Sequence, residues 1–214
     1  HLCYCYSPTR SLWDRTVEYE HNDWPSRASR HFLRIWDRHA AERVDTFIAI
    51  SEHVRQRIKK YYQRDAQIIY PPLSRAKIPV VSGTVLDGSP QPFYLIVSRL
   101  YAYKNIHVAV DAFNKLGYPL VIIGNGPARR HLQHVARRNV VFLGHQDDAV
   151  TQAHYASCRA FIMPQEEDFG LTALEAMDAG KPVLALRKGG ALETVREGMT
   201  GEKLEMRDGK LEVL

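Results

Sequence analysis

Short apolar runs alternate with longer amphipathic segments over most of this chain. The runs after residue 92 lack polar alternation, which is typical of strands covered on both faces, and they predict strands at 93–98, 119–123, 140–143, 160–163 and 182–186. The segments between and after them have apolar residues at helical spacing and predict helices at 105–116, 127–137, 147–158, 171–179 and 191–197. We therefore predict an α/β fold with a Rossmann-like parallel sheet and helices on both faces.

The first 73 residues show the same alternation less regularly. Strands are predicted at 1–6, 46–50 and 67–70, and helices at 29–43 and 52–62, the second with Ser51 as its N-cap. The segment 74–92 has no periodicity and contains several Gly and Pro residues, which indicates a linker. The chain is accordingly divided into 1–73, a linker at 74–92, and a Rossmann-like domain at 93–214.

Composition narrows the possible classes of protein. The chain is 45% hydrophobic and 25% charged, as expected for a globular protein with a core. Its net charge of +5 fits an anionic ligand, although simple solubility is the commoner reason for such an excess. Three cysteines form no repeated spacing, which argues against a disulfide framework or a zinc site and favours a reducing compartment. No apolar run is long enough to span a bilayer.

Two loops that follow predicted strands carry candidate phosphate ligands. Arg99 comes just past the strand at 93–98, and Lys104 begins the next helix, so two permanent cations lie near a helix N-terminus. Ordinary solvated side chains are the competing interpretation. In the next loop, Gly124 and Gly126 flank Asn125, which indicates a tight turn that permits close approach by a ligand or by the chain itself.

Acidic residues are concentrated after the predicted strand at 160–163. Glu167 lies in this loop, and Glu175 follows after seven intervening residues, inside a largely apolar helix. A solvating charge is unusual there, so we expect Glu175 to point into a cleft and to accept hydrogen bonds from ligand hydroxyls. Acids beside cations suit a ligand with diphosphate and polyol parts. A metal site is the weaker alternative, because the cations can neutralise phosphate themselves.

One further loop follows the predicted strand at 182–186. Gly189 and Gly190 precede a helix, and a Gly-Gly pair in that position opens backbone amides toward an anion.

These motifs, in this order, resemble family 4 of the retaining glycosyltransferases, whose GT-B fold has two Rossmann-like domains facing each other across a cleft. The resemblance covers nearly the whole chain and is closest to a mannosyltransferase-like subgroup of surface-polysaccharide biosynthesis. The Glu167-to-Glu175 spacing, with Phe-Gly inside it, is the most specific feature. The matching segments are CYCYSPTRSLWD, RVDTFIAISEHVRQRIKKYY, IIYPP, VSRLYAYKN, IGNGP, VFLGH, EEDFGLTALEAMDAGKPVLA and GGALETV.

The resemblance implies a role for each candidate residue. Arg99 and Lys104 would bind the donor diphosphate, Glu175 the ribose, and Glu167 the hydroxyls of the transferred sugar; the catalytic set would be Arg99, Lys104 and Glu167. It implies no metal and no cofactor beyond the nucleotide-sugar donor, with GDP-mannose expected first and a UDP-sugar next. The full implied donor-binding set is Arg99, Lys104, Gly124, Gly126, Glu167, Phe169, Gly170, Leu171, Glu175, Gly189 and Gly190.

The resemblance also implies a domain assignment. Residues 1–73 would be the C-terminal part of the N-terminal, acceptor-binding domain, and 93–214 the nucleotide-sugar-binding domain without its last helices. A missing N-terminal part or a partner chain would be needed, so the isolated chain is expected to be inactive. Tyr6 stands where the subgroup has His, which makes it a candidate sugar contact but a poorer proton carrier at neutral pH.

Several functions follow as hypotheses. The leading one is transfer of a sugar, with retention, from a nucleotide-sugar donor to a glycan or lipid-linked acceptor. The alternative is a non-catalytic nucleotide-sugar-binding or subunit module with the same fold. Basic residues at 55–64 raise nucleic-acid binding, which we disfavour because basic helix faces are usually solvated; the same face could contact an anionic membrane. We therefore expect a cytoplasmic protein, with possible peripheral contact at the inner membrane face and no nucleic-acid partner.

Overall fold

A computed structural model describes residues 1–14, 24–73, 92–207 and 210–213. The predicted linker at 74–92 therefore lies outside the described residues, apart from Pro92. The chain divides into two compact units, His1–Pro72 and Leu73–Leu214. The assignment of these parts to two glycosyltransferase domains stays a prediction.

The first unit is a small parallel α/β structure. Its sheet has the order β1-β2-β3, and all described pairs are parallel. Along the chain its elements are β1 (Leu2–Cys5), α1 (Arg10–Trp13), α2 (Trp24–Glu42), β2 (Thr46–Ala49), α3 (Glu52–Tyr62) and β3 (Ala66–Ile68).

Helix α3 begins where the sequence predicts, but three of its basic residues form ion pairs with acidic side chains. The Ser51 hydroxyl accepts a hydrogen bond from the Val54 N–H at 3.0 Å, which confirms the N-cap. Arg57 is 6% exposed and forms an ion pair with Asp14. Lys59 pairs with Asp65 at 2.8 Å, and Arg55 pairs with Glu52. Helix α3 therefore presents fewer unpaired cations than its sequence indicates.

Helix α2 is longer than predicted and exposes apolar side chains. It begins at Trp24 rather than at 29. Its Asp37 carboxylate lies inward and accepts hydrogen bonds from the Trp13 Nε1–H at 2.8 Å and the Tyr62 hydroxyl at 3.0 Å. Phe32 and Trp36 are 69% and 63% exposed. The apolar side chains whose spacing predicts this helix therefore include several that are exposed to solvent in the described structure.

The second unit is a seven-stranded sheet with the order β10-β9-β8-β7-β4-β5-β6. All neighbouring strands are parallel except β10, which is antiparallel to β9. Its strands are β4 (Tyr94–Val97), β5 (Leu120–Ile123), β6 (Val140–Gly144), β7 (Ala160–Met163), β8 (Val183–Leu186), β9 (Gly201–Arg207) and β10 (Lys210–Val213). Its α-helices are α4 (Ile106–Leu116), α5 (Arg129–Val135), α6 (Asp148–Ser157), α7 (Leu171–Asp178) and α8 (Ala191–Thr194).

Two hydrophobic clusters cover the two faces of this sheet. Leu95 of β4 belongs to the cluster that contains residues of α6, α7 and α8, whereas its neighbour Ile96 belongs to the cluster with α4 and α5. Both side chains are fully buried. Successive side chains of a strand point to opposite faces, so a strand covered on both sides needs an unbroken apolar run. The predicted α/β class, with helices on both faces, is confirmed.

The structure differs from the sequence prediction mainly at the end of the chain. Strands β9 and β10 were not predicted, because Glu202, Lys203 and Glu205 interrupt any apolar run. Hydrogen-bonded pairing with β8 stabilises β9, although the local sequence does not favour a strand. Gly201 is needed at the start of β9, because a Cβ at this position would collide with the Val183 carbonyl. Helix α8 ends at Thr194 rather than at 197, because Val195 is already extended.

We expect Phe161→Ala to destabilise the second unit by about 3–5 kcal/mol, because the side chain is fully buried on the central strand β7 and its loss leaves a cavity. The matched control is Leu192→Ala on α8, where the side chain is 55% exposed and the expected change is within about 0.5 kcal/mol. Chemical denaturation followed by circular dichroism measures both. Equal effects of the two substitutions would contradict this placement of the core.

Candidate functional site

The order of strands in the second unit contains one switch point. The chain runs outward from β4 through β5 to β6, and then returns to the other side of β4 with β7, β8 and β9. In open α/β sheets, ligands bind beyond the carboxyl ends of the strands at such a point, because the two loops there diverge and leave a crevice. The loops after β4 and β7 start at Ser98 and Pro164, and they contain Arg99, Lys104 and Glu167.

An ion pair joins these two loops. Lys104 ends a short 3₁₀ turn (Ala102–Lys104), and its Nζ lies 2.5 Å from Oε1 of Glu167. The lysine side chain is 7% exposed and the glutamate side chain 24%. Removing one partner of such a pair strands the other charge in a poorly solvated place, which makes the pair costly to break. The structure thus brings together two residues that the sequence places 63 positions apart.

Gln165 is a member of this cluster that the sequence interpretation missed. Its side chain is 1% exposed, and its Nε2 donates a hydrogen bond to the same Oε1 of Glu167 at 3.0 Å. Its own Oε1 is buried and accepts no hydrogen bond within the described part of the chain. The available signal was a polar side chain directly after the buried run Ala160–Met163 and Pro164.

Gly189 and Gly190 hold the acidic loop against the loop after β8. Gly189 forms a parallel bridge with Glu167, and the Gly190 N–H donates to the Glu167 carbonyl at 2.8 Å. A Cβ on Gly189 would collide with the Glu167 carbonyl oxygen, and one on Gly190 with the backbone of Phe169. The N–H of Gly190 is therefore engaged by the chain rather than open toward an anion, which corrects the sequence interpretation of that amide. The place of both glycines in a donor site stays a prediction.

The glycines after β5 are explained by a similar close approach. A Cβ on Gly124 would collide with the Ser98 carbonyl, and one on Gly126 with the Leu100 carbonyl. The Leu100 N–H donates to the Asn125 carbonyl at 2.9 Å, so the two loops are hydrogen-bonded at this point. The sequence leaves open whether these glycines permit close approach by a ligand or by the chain itself. The structure shows close approach by the chain itself. Contact of these glycines with a ligand stays a prediction.

The two predicted phosphate-binding cations differ in their surroundings. The Lys104 ammonium already pairs with Glu167 and also lies 5.4 Å from the centre of the Tyr103 ring. Arg99 is exposed, and its Cζ lies 5.7 Å from the centre of the Tyr101 ring. Stacking on an aromatic face orients a guanidinium without removing its hydrogen-bond donors. Arg99 is therefore the cation of the two that can engage an added anion at the least electrostatic cost.

The N-terminus of α7 lies directly after the acidic loop. Gly170 is its N-cap with a φ of +90°, a conformation that favours glycine. The Gly170 carbonyl accepts hydrogen bonds from the N–H groups of Ala173 and Leu174, so the first N–H groups of the helix lie outside its internal ladder. Phe169 is buried at 7% exposure, and Leu171 is 39% exposed. The helix dipole favours a negative group at this end.

Glu175 is half-buried on α7 and lies beside Tyr155 of α6. Burial raises the pKa of Glu175; the Tyr155 hydroxyl lowers it in part, and the Asp148 carboxylate raises it further. Burial likewise raises the pKa of Tyr155, and the charge of Glu175 adds to this shift. No hydrogen bond of good geometry joins the two groups. The sequence interpretation placed Glu175 among ligand hydroxyls and missed its protein neighbour; its contact with a ligand stays a prediction.

Tyr6 belongs to the first unit. It follows β1, is 58% exposed, and its ring lies edge-on to the Tyr4 ring at a centroid distance of 5.4 Å. Its predicted contact with a sugar stays a prediction.

Two kinds of feature are absent from the described residues. Among them, no group of three or more His, Cys, Asp or Glu side chains is placed to hold a metal ion. None of the described helices combines the length and apolarity needed to cross a membrane.

We expect Glu175→Gln to raise the thermal midpoint at pH 7 by roughly 1–3 °C. Because the pKa of Glu175 is raised on folding, the folded state binds this proton more tightly than the unfolded state. Stability is therefore lost as pH rises through the folded pKa, and the loss persists at neutral pH. The gain of the variant should vanish below the ordinary carboxyl pKa of 4.5.

Differential scanning calorimetry between pH 4 and pH 7 measures this dependence, with exposed Glu202→Gln on β9 as the control. A variant that is less stable than the wild type at every pH would contradict the assigned cost of burying Glu175.

Comparison with known proteins matches the second unit to a family of glycosyl transferases. The sequence model of the family "Glycosyl transferases group 1" matches residues 86–208. An uncharacterized glycosyltransferase of Methanocaldococcus jannaschii is 23% identical over 85% of this chain and 52% of its own length. The O-antigen chain mannosyltransferase C of Escherichia coli is 33% identical over 45% of this chain and 28% of its own.

A solved structure has the same fold. The Anabaena protein HepE, in complex with UDP and glucose, superposes with a TM-score of 0.70 at 20% identity, over 98% of this chain and 58% of that one. At this identity the likeness supports the fold only. The chain spans about half or less of the length of the curated relatives cited above.

Proposed function

Because the chain belongs to the group 1 family of glycosyl transferases, we propose that its second unit binds a nucleotide-diphosphate sugar beyond the carboxyl ends of β4 and β7. Within the whole protein, the sugar would be transferred with retention to a glycan or lipid-linked acceptor. The observation that carries this proposal is the ion pair between Lys104 and Glu167, which joins the loops after β4 and β7 at the switch point of the sheet.

The proposed roles follow from charge. Departure of a nucleoside diphosphate develops negative charge, and fixed cations and helix N-termini stabilise it without having to reorganise. Arg99 would contact the diphosphate directly. Lys104 would share its charge between the diphosphate and Glu167. Glu167 would accept hydrogen bonds from sugar hydroxyls, and Glu175 from the ribose.

The identity of the donor rests on the relatives. The name of one relative, a mannosyltransferase, supports a mannose-bearing donor, for which GDP-mannose is our first candidate. HepE was solved with UDP and glucose, which supports a UDP-sugar as the second. The diphosphate, for which Arg99 and Lys104 are the proposed ligands, is common to both donors.

The alternative proposal is a non-catalytic module that binds a nucleotide sugar, with Tyr6 in place of an expected His as the residue that favours it. The two proposals differ in turnover and agree on binding. Following the product by mass spectrometry, with each donor and a lipid or oligosaccharide acceptor, distinguishes them.

For either proposal we place the protein in the cytoplasm, because Cys3, Cys5 and Cys158 are all free thiols, as is usual in a reducing compartment.

We expect Arg99→Ala to weaken binding of GDP or UDP by about 1.5–3 kcal/mol, the worth of a charge-assisted hydrogen bond. Arg99 is exposed and has no acidic partner in the described structure, so its loss should leave the thermal midpoint unchanged. Isothermal titration calorimetry measures the affinity. The matched control is Arg130→Ala on α5, an exposed arginine remote in sequence from the switch-point loops. Unchanged affinity in Arg99→Ala would remove the diphosphate assignment.

We expect Glu167→Gln to weaken the sugar-bearing donor by roughly tenfold or more relative to the nucleoside diphosphate, because a charged acceptor of sugar hydroxyls is lost. Glu175→Gln should weaken both ligands, since the ribose is common to them. Titrating each variant with GDP and GDP-mannose, and with UDP and UDP-glucose, gives the comparison. Equal losses for both kinds of ligand in Glu167→Gln would reverse the allocation of the two glutamates.

A further inference from the structure

Gln165 has no role in the function proposed above, and its surroundings call for one. It follows β7, and its side chain is 1% exposed. One end of its carboxamide donates to Glu167, and the other end is buried without a hydrogen-bond partner in the described structure. Such groups are rare in folded proteins, because burial costs them their hydrogen bonds to water without replacing them. An apolar side chain of the same size would avoid that cost, so stability alone does not explain a glutamine here.

We propose that Gln165 is a positioning residue, which fixes the Glu167 carboxylate so that one oxygen is held by the protein and the other is presented to the sugar of the donor. This inference rests on the proposed function and deepens it. It concerns how Glu167 discriminates a sugar-bearing donor from the free nucleoside diphosphate.

Both protein donors converge on the same oxygen. Lys104 Nζ lies 2.5 Å from Oε1 of Glu167, and Gln165 Nε2 lies 3.0 Å from it. No hydrogen bond to Oε2 occurs within the described residues. Rotation about the last torsion of a glutamate is soft, so a single contact to a flexible lysine would leave the plane of the carboxylate loosely defined. A second donor, Gln165, lies two residues before Glu167 in the same loop and restrains that rotation.

The orientation of the Gln165 amide follows from its surroundings. Reversing it would place its carbonyl oxygen against Oε1 of Glu167, and two acceptors would then face each other. The amide nitrogen therefore points to Glu167, and the carbonyl oxygen is left buried without a hydrogen-bond partner in the described structure. The neutral amide adds a donor without adding charge, so the balance between Lys104 and Glu167 is preserved.

The test is the ratio of affinities for the sugar-bearing donor and the free nucleoside diphosphate. In Gln165→Met, which keeps an unbranched side chain of similar length, the donor amide and the unpaired acceptor are both removed. We expect the thermal midpoint to be equal to or above that of the wild type, GDP and UDP to bind as before, and the nucleotide sugar to bind roughly five- to tenfold more weakly. Gln165→Asn keeps the amide but shortens its reach, and it should lose the same selectivity.

Two controls make the result specific. Gln133→Met, at an exposed position on α5, should change neither affinity. In a Glu167→Gln background, Gln165→Met should cause no further loss, because a positioning residue acts only through the group that it positions.

Other results would overturn the inference. Equal weakening of both kinds of ligand together with a lower thermal midpoint would make Gln165 a structural residue only. Affinities equal to the wild type in Gln165→Met and Gln165→Asn, while Glu167→Gln still discriminates, would overturn this inference and leave the proposed function intact. If the wild type binds no nucleoside diphosphate at all, the proposed function fails, and this inference fails with it.

Discussion

The ion pair between Lys104 and Glu167 connects the two halves of the sheet where they diverge, and Gln165 donates to the same carboxylate oxygen. The pair is formed by a short 3₁₀ turn after β4 and an acidic loop after β7. Because the lysine is almost fully buried, its charge needs this partner. A ligand anion would therefore meet an ammonium that is already paired with a carboxylate, whereas the exposed Arg99 has no acidic partner in the described structure.

Tight backbone packing holds the loops that carry this pair. Gly124 and Gly126 allow the loop after β5 to approach Ser98 and Leu100, and Gly189 and Gly190 allow the loop after β8 to approach Glu167 and Phe169. Four glycines that resemble flexible, ligand-binding positions in the sequence are therefore required by contacts within the protein. A role in binding would be additional to that requirement. For Glu175 the contacts within the protein give no such explanation. Its burial beside Tyr155 is unfavourable for an ionised carboxylate, and contact with a ligand would explain why a glutamate is present there.

The sequence predicts the second unit well where apolar runs are unbroken. Strands such as Leu120–Ile123 are buried on both faces, so their pattern carries the information that determines them. The sequence does not predict the strand Gly201–Arg207, because charged residues interrupt its apolar pattern. This strand is formed through its hydrogen-bonded pairing with β8. The sequence also identifies Arg99, Lys104 and Glu167 as chemistry-bearing residues, but it does not pair Lys104 with Glu167. Gln165 is missed because a single amide has no periodicity or motif.

The parallel bridge between Glu167 and Gly189 has a consequence for anyone who alters the specificity of this site. The bridge and the Gly190 hydrogen bond join the two chain segments again beyond the ends of β7 and β8. The segments 164–170 and 187–190 therefore share one backbone frame, although they are separate in sequence. Grafting either segment alone from a related protein would import half of that frame, so the two form a single exchangeable module.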